Sequence, residues 1–429
     1  MGHINELPDD LLLKILSLIP TKEVVATSLL SKRWESLWTN VRRLEYDQEY
    51  HYDKRTGFSR FVDKSLLSYQ SPILESLKFK FKSRYGYGDI GLWMRTAVNR
   101  HIRELTLECG DVLIKLPLRL FTCKTLMVLK LNGWIDLNIP LTASLPSLKT
   151  LHLVLLRKSN YESFSRLLSK CPVLTDLMVE QRKSNAMSML NIAVPSLQRL
   201  SIRTVIDSDK ELGYFNYDKD IPKVVINVPS LKYLTIDDRG NDFDVIENLS
   251  QVVEARIKAN ETSTKVFLRC ISSSVKRLSI SSLKSKDVYS TGSFFCQLEH
   301  LELYTDSANG WLKLLAHILE SSINLRVLKL FNKHSNWRMH PLDRWDMSSS
   351  TVPECIVSSL EVLQWRGYLE REIDKEVMSY LLKHSLCLKT VMITPNRPDD
   401  VEEINQIAEL FASFPIGSKT CKFGFNLDT

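Results

Sequence analysis

Apolar positions along this chain fall into two regimes. Over residues 7–38 they recur at helical spacing. Leu11, Leu12, Ile15, Leu16 and Ile19 stand at i, i+1, i+4, i+5 and i+8, a wide stripe on a helix that opens near Asp9. Pro20 closes that helix, and Thr21 is placed to cap a second one carrying Val24, Val25, Leu29 and Leu30. A third short helix follows Ser31, with Trp34, Leu37 and Trp38 on one face. Helices this short carry more apolar surface than they can bury among themselves, so the pattern predicts a unit that needs a partner. Spacing alone also suits a small cap that seals whatever follows.

The period then changes. From about residue 74 to 394 one template returns, L-x-x-L-x-L, with Val, Ile, Phe, Ala or Trp substituting. It opens at Leu74, Ile102, Leu126, Leu148, Leu174, Leu197, Leu231, Val252, Val275, Leu298, Leu325, Leu360 and Leu388. The thirteen occurrences are spaced 21 to 35 residues apart, in the range of leucine-rich repeats, where each unit supplies a short parallel strand and a returning helix or turn. The second and third anchors alternate with polar residues, so the anchors point into a core and the residues between them point out. A lone unit cannot bury its leucines, whereas stacked neighbours bury a continuous ridge. Helical returns are predicted over 161–169, 311–321 and 372–382, and a closing helix over 401–414. The Asn or Cys that often stands three residues past the last anchor of such repeats occurs only as Asn260 and Asn396, which predicts an irregular array. The two longest gaps hold aromatic inserts: Tyr214, Phe215 and Tyr217 in one, Trp337, His340 and Trp345 in the other. Each is either a binding loop or a local cover.

Two stretches resemble known modules. The opening Leu7-Pro8-Asp9, the Ile19-Pro20 break, Val24-Val25 and the run Ser31-Lys32-Arg33-Trp34 ending at Trp38 resemble the F-box of SCF-type ubiquitin ligases. The resemblance implies docking onto a Skp-family adaptor and, through it, a cullin scaffold. Leu7, Pro8, Leu11, Ile15, Leu16, Ile19, Pro20, Val24 and Leu30 would be buried there, with Trp34 and Trp38 tying in the last helix. Residues 1–45 hold six basic and six acidic side chains, so apolar burial rather than charge would dominate that docking. Further on, Leu360, Leu363, Trp365, Gly367, Tyr368, Glu370, Glu372, Tyr380 and Phe414-Pro415 resemble the FBD module that closes many plant F-box/leucine-rich-repeat proteins. Its expected role is to shield the open end of the array. The expected fold class is therefore α/β. A three-helix F-box occupies 1–48, a leucine-rich-repeat solenoid 49–350, and an FBD module with the last repeats and the C-terminal cap 351–429, with about 13 irregular strand/helix units in all.

Composition adds bounds rather than detail. The chain has 429 residues, 44% hydrophobic and 25% charged, ample for a sizeable core. The net charge of +7 is spread along the chain without a dense Lys/Arg block, so neither a nucleic-acid nor a membrane surface is expected. No signal peptide is visible, and no apolar run approaches the ~18 residues of a membrane span. The eight cysteines form no C-x-x-C pair, which predicts reduced, mostly buried thiols and a place in cytoplasm and/or nucleus.

Catalytic patterns are sparse. Gly86, Gly88 and Gly91 spell G-x-G-x-x-G after a strand-like segment, with Glu104 and Glu108 downstream where a ribose partner would stand. The preceding strand alternates Lys with Phe, unlike a central parallel strand, and the segment lies in register between two template anchors. No G-x-S-x-G elbow, H-E-x-x-H helix, P-loop or metal-spaced Cys/His cluster appears. No catalytic residue, metal or cofactor is expected. The resemblance implies a substrate-recognition subunit whose outward strand residues hold a target protein: Lys130, Arg199, Arg203, Tyr233, Arg256, Lys258, Arg277, Tyr304 and Arg366. Glu108, Asp176, Glu180 and Glu302 share that face, so signs are mixed. A non-degradative scaffold, or a co-receptor for a small hormone-like ligand, would use the same architecture.

Overall fold

The computed structural model describes residues 4–50, 57–81, 90–110, 113–155, 161–182, 189–205, 223–238, 242–247, 249–281, 294–305, 311–332, 351–395 and 401–425. Gly86 and Gly88, Asn396 and both aromatic inserts lie outside these residues. The chain divides into two compact units, residues 1–228 and 229–429.

In the first unit three short helices, α1 (Asp9–Leu16), α2 (Thr21–Ala26) and α3 (Lys32–Leu37), lead directly into a parallel sheet. Its strands run in chain order: Arg43–Asp47, Ser76–Phe81, Glu104–Cys109, Val128–Gly133, Thr150–Leu155, Asp176–Arg182 and Arg199–Val205. The second unit repeats the scheme with Tyr233–Asp238, Glu254–Ala259, Arg277–Ser281, His300–Tyr304, Val327–Phe331, Val362–Tyr368, Thr390–Pro395 and Lys422–Phe425.

Every occurrence of the template forms one of these strands. All three anchors in each of the thirteen are at most 1% exposed. Pairing sets anchor against anchor, so Leu77, Leu105, Leu129, Leu151, Leu177 and Leu200 follow one another across the first sheet. Alternation along a strand then leaves the polar residues between the anchors on the opposite face.

At the two ends of this series stand strands that were not expected, and five short strands outside it, Ile114–Lys115, Ile135–Asp136, Met189–Ile192, Lys223–Asn227 and Asp242–Glu247, were not expected either. Arg43–Asp47 follows Val41, and the stretch VRRLEY sets Val41, Leu44 and Tyr46, all buried, where the template has leucines. Tyr46 stacks on Phe79 with centroids 5.4 Å apart. At the other end Lys422–Phe425 joins the last template strand with Phe423 opposite Val391 and Phe425 opposite Ile393.

Helices cover the anchor side. Trp93, on the helix Ile90–Asn99, stacks on Phe79 with centroids 5.4 Å apart and donates its indole N–H to Asp63 at 2.6 Å. In the second unit Trp311, on the helix Trp311–Ser321, meets Trp365 edge-on at 6.0 Å. Trp365 in turn meets Tyr368, and Tyr368 meets Phe411 of the helix Val401–Ser413. The helices expected over 161–169 and 311–321 occur as Tyr161–Ser169 and Trp311–Ser321; the other two occur as Glu372–His384 and Val401–Ser413. Asn260 does not mark a ladder of side chains. It caps the helix Glu261–Ile271, its side chain accepting from the Ser263 N–H at 2.9 Å.

Two glycines, Gly133 and Gly367, combine a positive φ with close backbone approach, and Gly367 matters most here. It has φ +71°, and a Cβ there would run into the carbonyl oxygen of Asn332. The strand register shifts between Arg366 and Tyr368 at the same place, a bulge only glycine tolerates. Gly367→Ala is expected to cost more than ~1 kcal/mol in urea unfolding, because both the φ and the contact oppose the added methyl.

Candidate functional site

The helical unit has a complete core of its own. Leu12, Leu16, Val24, Trp34, Leu37, Trp38 and Val41 are buried together, with Leu7, Leu13 and Val25 packed against them. This divides the eleven residues expected at an adaptor. Leu16, Val24, Trp34 and Trp38 face inward and hold the unit itself, a correction to their expected surface role: three helices this short need every large inward side chain to close a core. Leu11, Ile15, Ile19, Leu30 and Pro8 are exposed, while Leu7 and Pro20 are half-buried.

The stripe on α1 is in fact two stripes. Leu12 and Leu16 point in, whereas Leu11 and Ile15, four residues apart, face the other side, and Leu18 in the turn after the helix is exposed as well. Leu18 is 83% exposed and Leu29 89%, more than Leu11 at 44% or Leu30 at 65%. Neither Leu18 nor Leu29 was among the expected contact residues. The width of the stripe was the signal: a helix with one partner needs one apolar line, and α1 carries two.

Polar bonds set this unit's geometry. The Arg33 guanidinium donates to the Leu7 carbonyl at 2.6 Å and pairs with Asp9, pinning the Leu-Pro-Asp opening onto α3. Thr21 starts α2 rather than capping it. Its buried hydroxyl instead accepts the Glu45 N–H at 2.7 Å, and Lys22 donates to the Tyr50 carbonyl. Together with Val41, which belongs to the helical core, these bonds seat α2 on the first strand.

The outward face of the sheets carries the expected target residues. On the first unit that face is knitted by cross-strand ion pairs: Lys78 with Glu45, Lys80 with Asp47, and His152 and Arg199 with Asp176. Arg203 pairs with Glu180 at 3.3 Å. Lys130 is exposed on the same face. On the second unit Lys258 pairs with Asp237, and Lys329 with Glu302. Arg256, Arg277 and Arg366 are exposed there with no carboxylate at ion-pair distance among the described residues. Tyr304 stacks on Phe331, centroids 4.8 Å apart, and the Arg366 guanidinium lies over the Phe331 ring at 5.8 Å. Tyr233 is exposed. Exposed pairs of this kind contribute about 0–1 kcal/mol each, so they matter more as occupied charge than as stability.

Three comparisons bear on identity. A family profile for the F-box domain matches residues 4–46, one for FBD matches 348–393, and one described as "FBD-associated F-box protein At5g56370, LRR repeats" matches 90–216. The Arabidopsis thaliana F-box/FBD/LRR-repeat protein At5g56420 is 39% identical over 99% of this chain and 99% of its own length. The F-box/FBD/LRR-repeat protein At4g26340 of the same plant is 40% identical over 99% of this chain and its full length. The chain belongs to the F-box/FBD/LRR-repeat family. The helical unit is thus its F-box, the strands at 90–216 fall in its leucine-rich repeats, and the Trp365–Gly367–Tyr368 bulge lies in its FBD.

Chemistry elsewhere is muted. Burial pushes the thiols of Cys109, Cys171 and Cys355 up to about 12, so they stay protonated. Among the described residues no group of three or more His, Cys, Asp or Glu could hold a metal ion, and no helix is long and apolar enough to cross a membrane.

Two measurements follow from this F-box and its neighbouring face. Leu16→Ala should lower stability by about 2–5 kcal/mol in urea unfolding, while Leu18→Ala should stay within ~0.5 kcal/mol, because only the first opens a cavity. On the sheet, hydrogen bonding from His300 and then from Lys329 holds the Glu302 carboxyl down at about 2. Its folded pKa lies below the ordinary value, so its contribution is complete above pH 4.5 and fades as pH falls toward about 2. Calorimetry should find Tm of Glu302→Gln below that of the parent near neutrality, the gap closing across that window.

Proposed function

We propose that this chain is the substrate-recognition subunit of an SCF-type ubiquitin ligase, without an active site of its own. The F-box docks onto a Skp-family adaptor and through it a cullin. The repeats, as a solenoid of about 13 units that follows a domain at 1–48 and runs into the capping module at 351–429, hold a target protein. One observation carries the reading: Leu11 and Ile15 on α1, with Leu18 in the turn that follows, form an exposed apolar surface beside a core already closed by Leu12 and Leu16.

Burial of one Leu or Ile side chain contributes roughly 1.5–3 kcal/mol, so a few such residues suffice for a stable contact. A neighbourhood balanced in charge leaves burial as the driving term. The remaining candidates, Pro8, Ile19, Leu29 and Leu30, are exposed and extend the docking surface. Tethering a target beside a ubiquitin-loaded enzyme raises its effective concentration, and that is the whole of this subunit's contribution to rate.

The pair Ile15→Asp and Leu18→Asp, both at exposed positions, tests the docking. The double variant should keep the circular dichroism and unfolding midpoint of the parent while losing co-elution with the Skp-family adaptor in size-exclusion chromatography. Undiminished co-elution would remove the adaptor from that face and the ligase reading with it.

A further inference from the structure

The outward face of the second unit is not balanced as the first one is. Outward positions on the strands from Arg43–Asp47 to Arg199–Val205 hold seven cations and six carboxylates, most of them paired across strands. From Tyr233–Asp238 to Thr390–Pro395 the same positions hold five cations against three carboxylates. Of those carboxylates Asp237 and Glu302 are already taken by Lys258 and Lys329. The surplus is guanidinium.

Two of these arginines have the same neighbour. Arg256 stands in register with Ser279, and Arg366 with Thr394. Ser279 and Thr394 are 9% and 8% exposed, and neither hydroxyl has a hydrogen-bond partner. A buried hydroxyl without a partner carries a desolvation cost that an acceptor would relieve. The flat Tyr304–Phe331 stack shares its row with Arg366 and Thr394, Tyr304 standing in register with Ser281, so Arg256 and Ser279 sit one outward position back along their strands; Arg366 rests on the Phe331 end of the stack. Backbone geometry holds that end in place. The Gly367 bulge follows Arg366 at once, and the Arg366 carbonyl accepts the Asn332 N–H at 2.9 Å.

Arg256 and Arg366 are four strand steps apart. At ~4.8 Å per step that is about 19 Å, a span an extended peptide covers in about six residues. We propose that the oblique line from Arg256/Ser279 past Tyr304 and Phe331 to Arg366/Thr394 receives an extended acidic segment of the target protein. One carboxylate binds at each arginine–hydroxyl pair, and a flat side chain lies over the aromatic stack between them. The inference rests on the receptor reading above and adds the chemistry of its target. Arginine suits this task because its planar fork meets a carboxylate with two bonds and still stacks on a ring. Glu302, which lies beside Ser279 in register, does not repel the segment, since its charge is paired with Lys329.

The test uses the full chain co-expressed with its adaptor and a fluorescent Gly/Ser peptide carrying two Glu about six residues apart around one Phe. A second peptide replaces both Glu by Lys. Anisotropy should show the Glu peptide binding at least ~10-fold tighter than the Lys peptide, with affinity falling as salt is added. Arg256→Glu and Arg366→Glu should each weaken the Glu peptide about 10-fold or more, and Lys124→Glu, at an exposed bend of the first unit, should not. Phe331→Ala should weaken binding while leaving the salt dependence. Equal binding of the two peptides, no binding of either, or an undiminished Arg366→Glu variant overturns the inference. Adaptor co-elution is scored on the same preparations, and the peptides are measured whether or not adaptor is present. Loss of the adaptor alone strikes the ligase reading; loss of discrimination with the adaptor still bound strikes only this one.

Discussion

What every other part of this molecule depends on is the in-register burial of one apolar line by the next. A strand such as Glu104–Cys109 brings Leu105 and Leu107 to the core, and its neighbours bring Leu77 with Phe79 and Leu129 with Leu131 to the same depth. No strand could bury these side chains by itself, and none has to. The requirement is local, since each strand must match only the two beside it, so the segments between strands are free to differ. They do differ: the return after Leu148 contains the helix Tyr161–Ser169, and the one after Leu174 contains the short strand Met189–Ile192.

The same constraint separates the two kinds of surface. Inward positions cannot vary without opening a cavity, whereas outward positions are free to hold charge, rings or hydroxyls. In the first unit that freedom goes into ion pairs that satisfy one another. In the second it leaves guanidinium groups and a stacked tyrosine–phenylalanine pair facing solvent. A recognition surface on such a fold is therefore set by one side of each strand, and the family's shared architecture leaves its targets open.

Much of this was legible in the residues. The L-x-x-L-x-L template located thirteen strands because two anchors and the polar residues between them already encode a half-buried strand. The first strand was missed because Val41, Leu44 and Tyr46 fill the template without a leucine at two of its three anchors, and the last because its phenylalanines follow Thr420 where a leucine stands elsewhere. The helical unit was recognised, but its two faces were not told apart. Leu16 and Ile15 are equally apolar, and only the packing of α3 against α1 assigns one to the core and the other to solvent. Thr21 shows the limit most plainly: its place after Pro20 reads as a cap, yet its hydroxyl bonds Glu45, twenty-four residues on.

That bond also bears on how the F-box and the repeats work together. The strand Arg43–Asp47 begins two residues after Val41, the last member of the helical core, and Thr21 and Lys22 hold the chain at Glu45 within it and at Tyr50 just beyond it. No tether separates the two parts. A receptor built this way behaves like a bracket rather than a leash: whatever grips the helices also aims the first repeats. On the receptor reading proposed above, lysines on a captured protein would be sampled by the swing of the cargo itself, and position on the cargo, more than abundance of lysine, would decide which of them come within range.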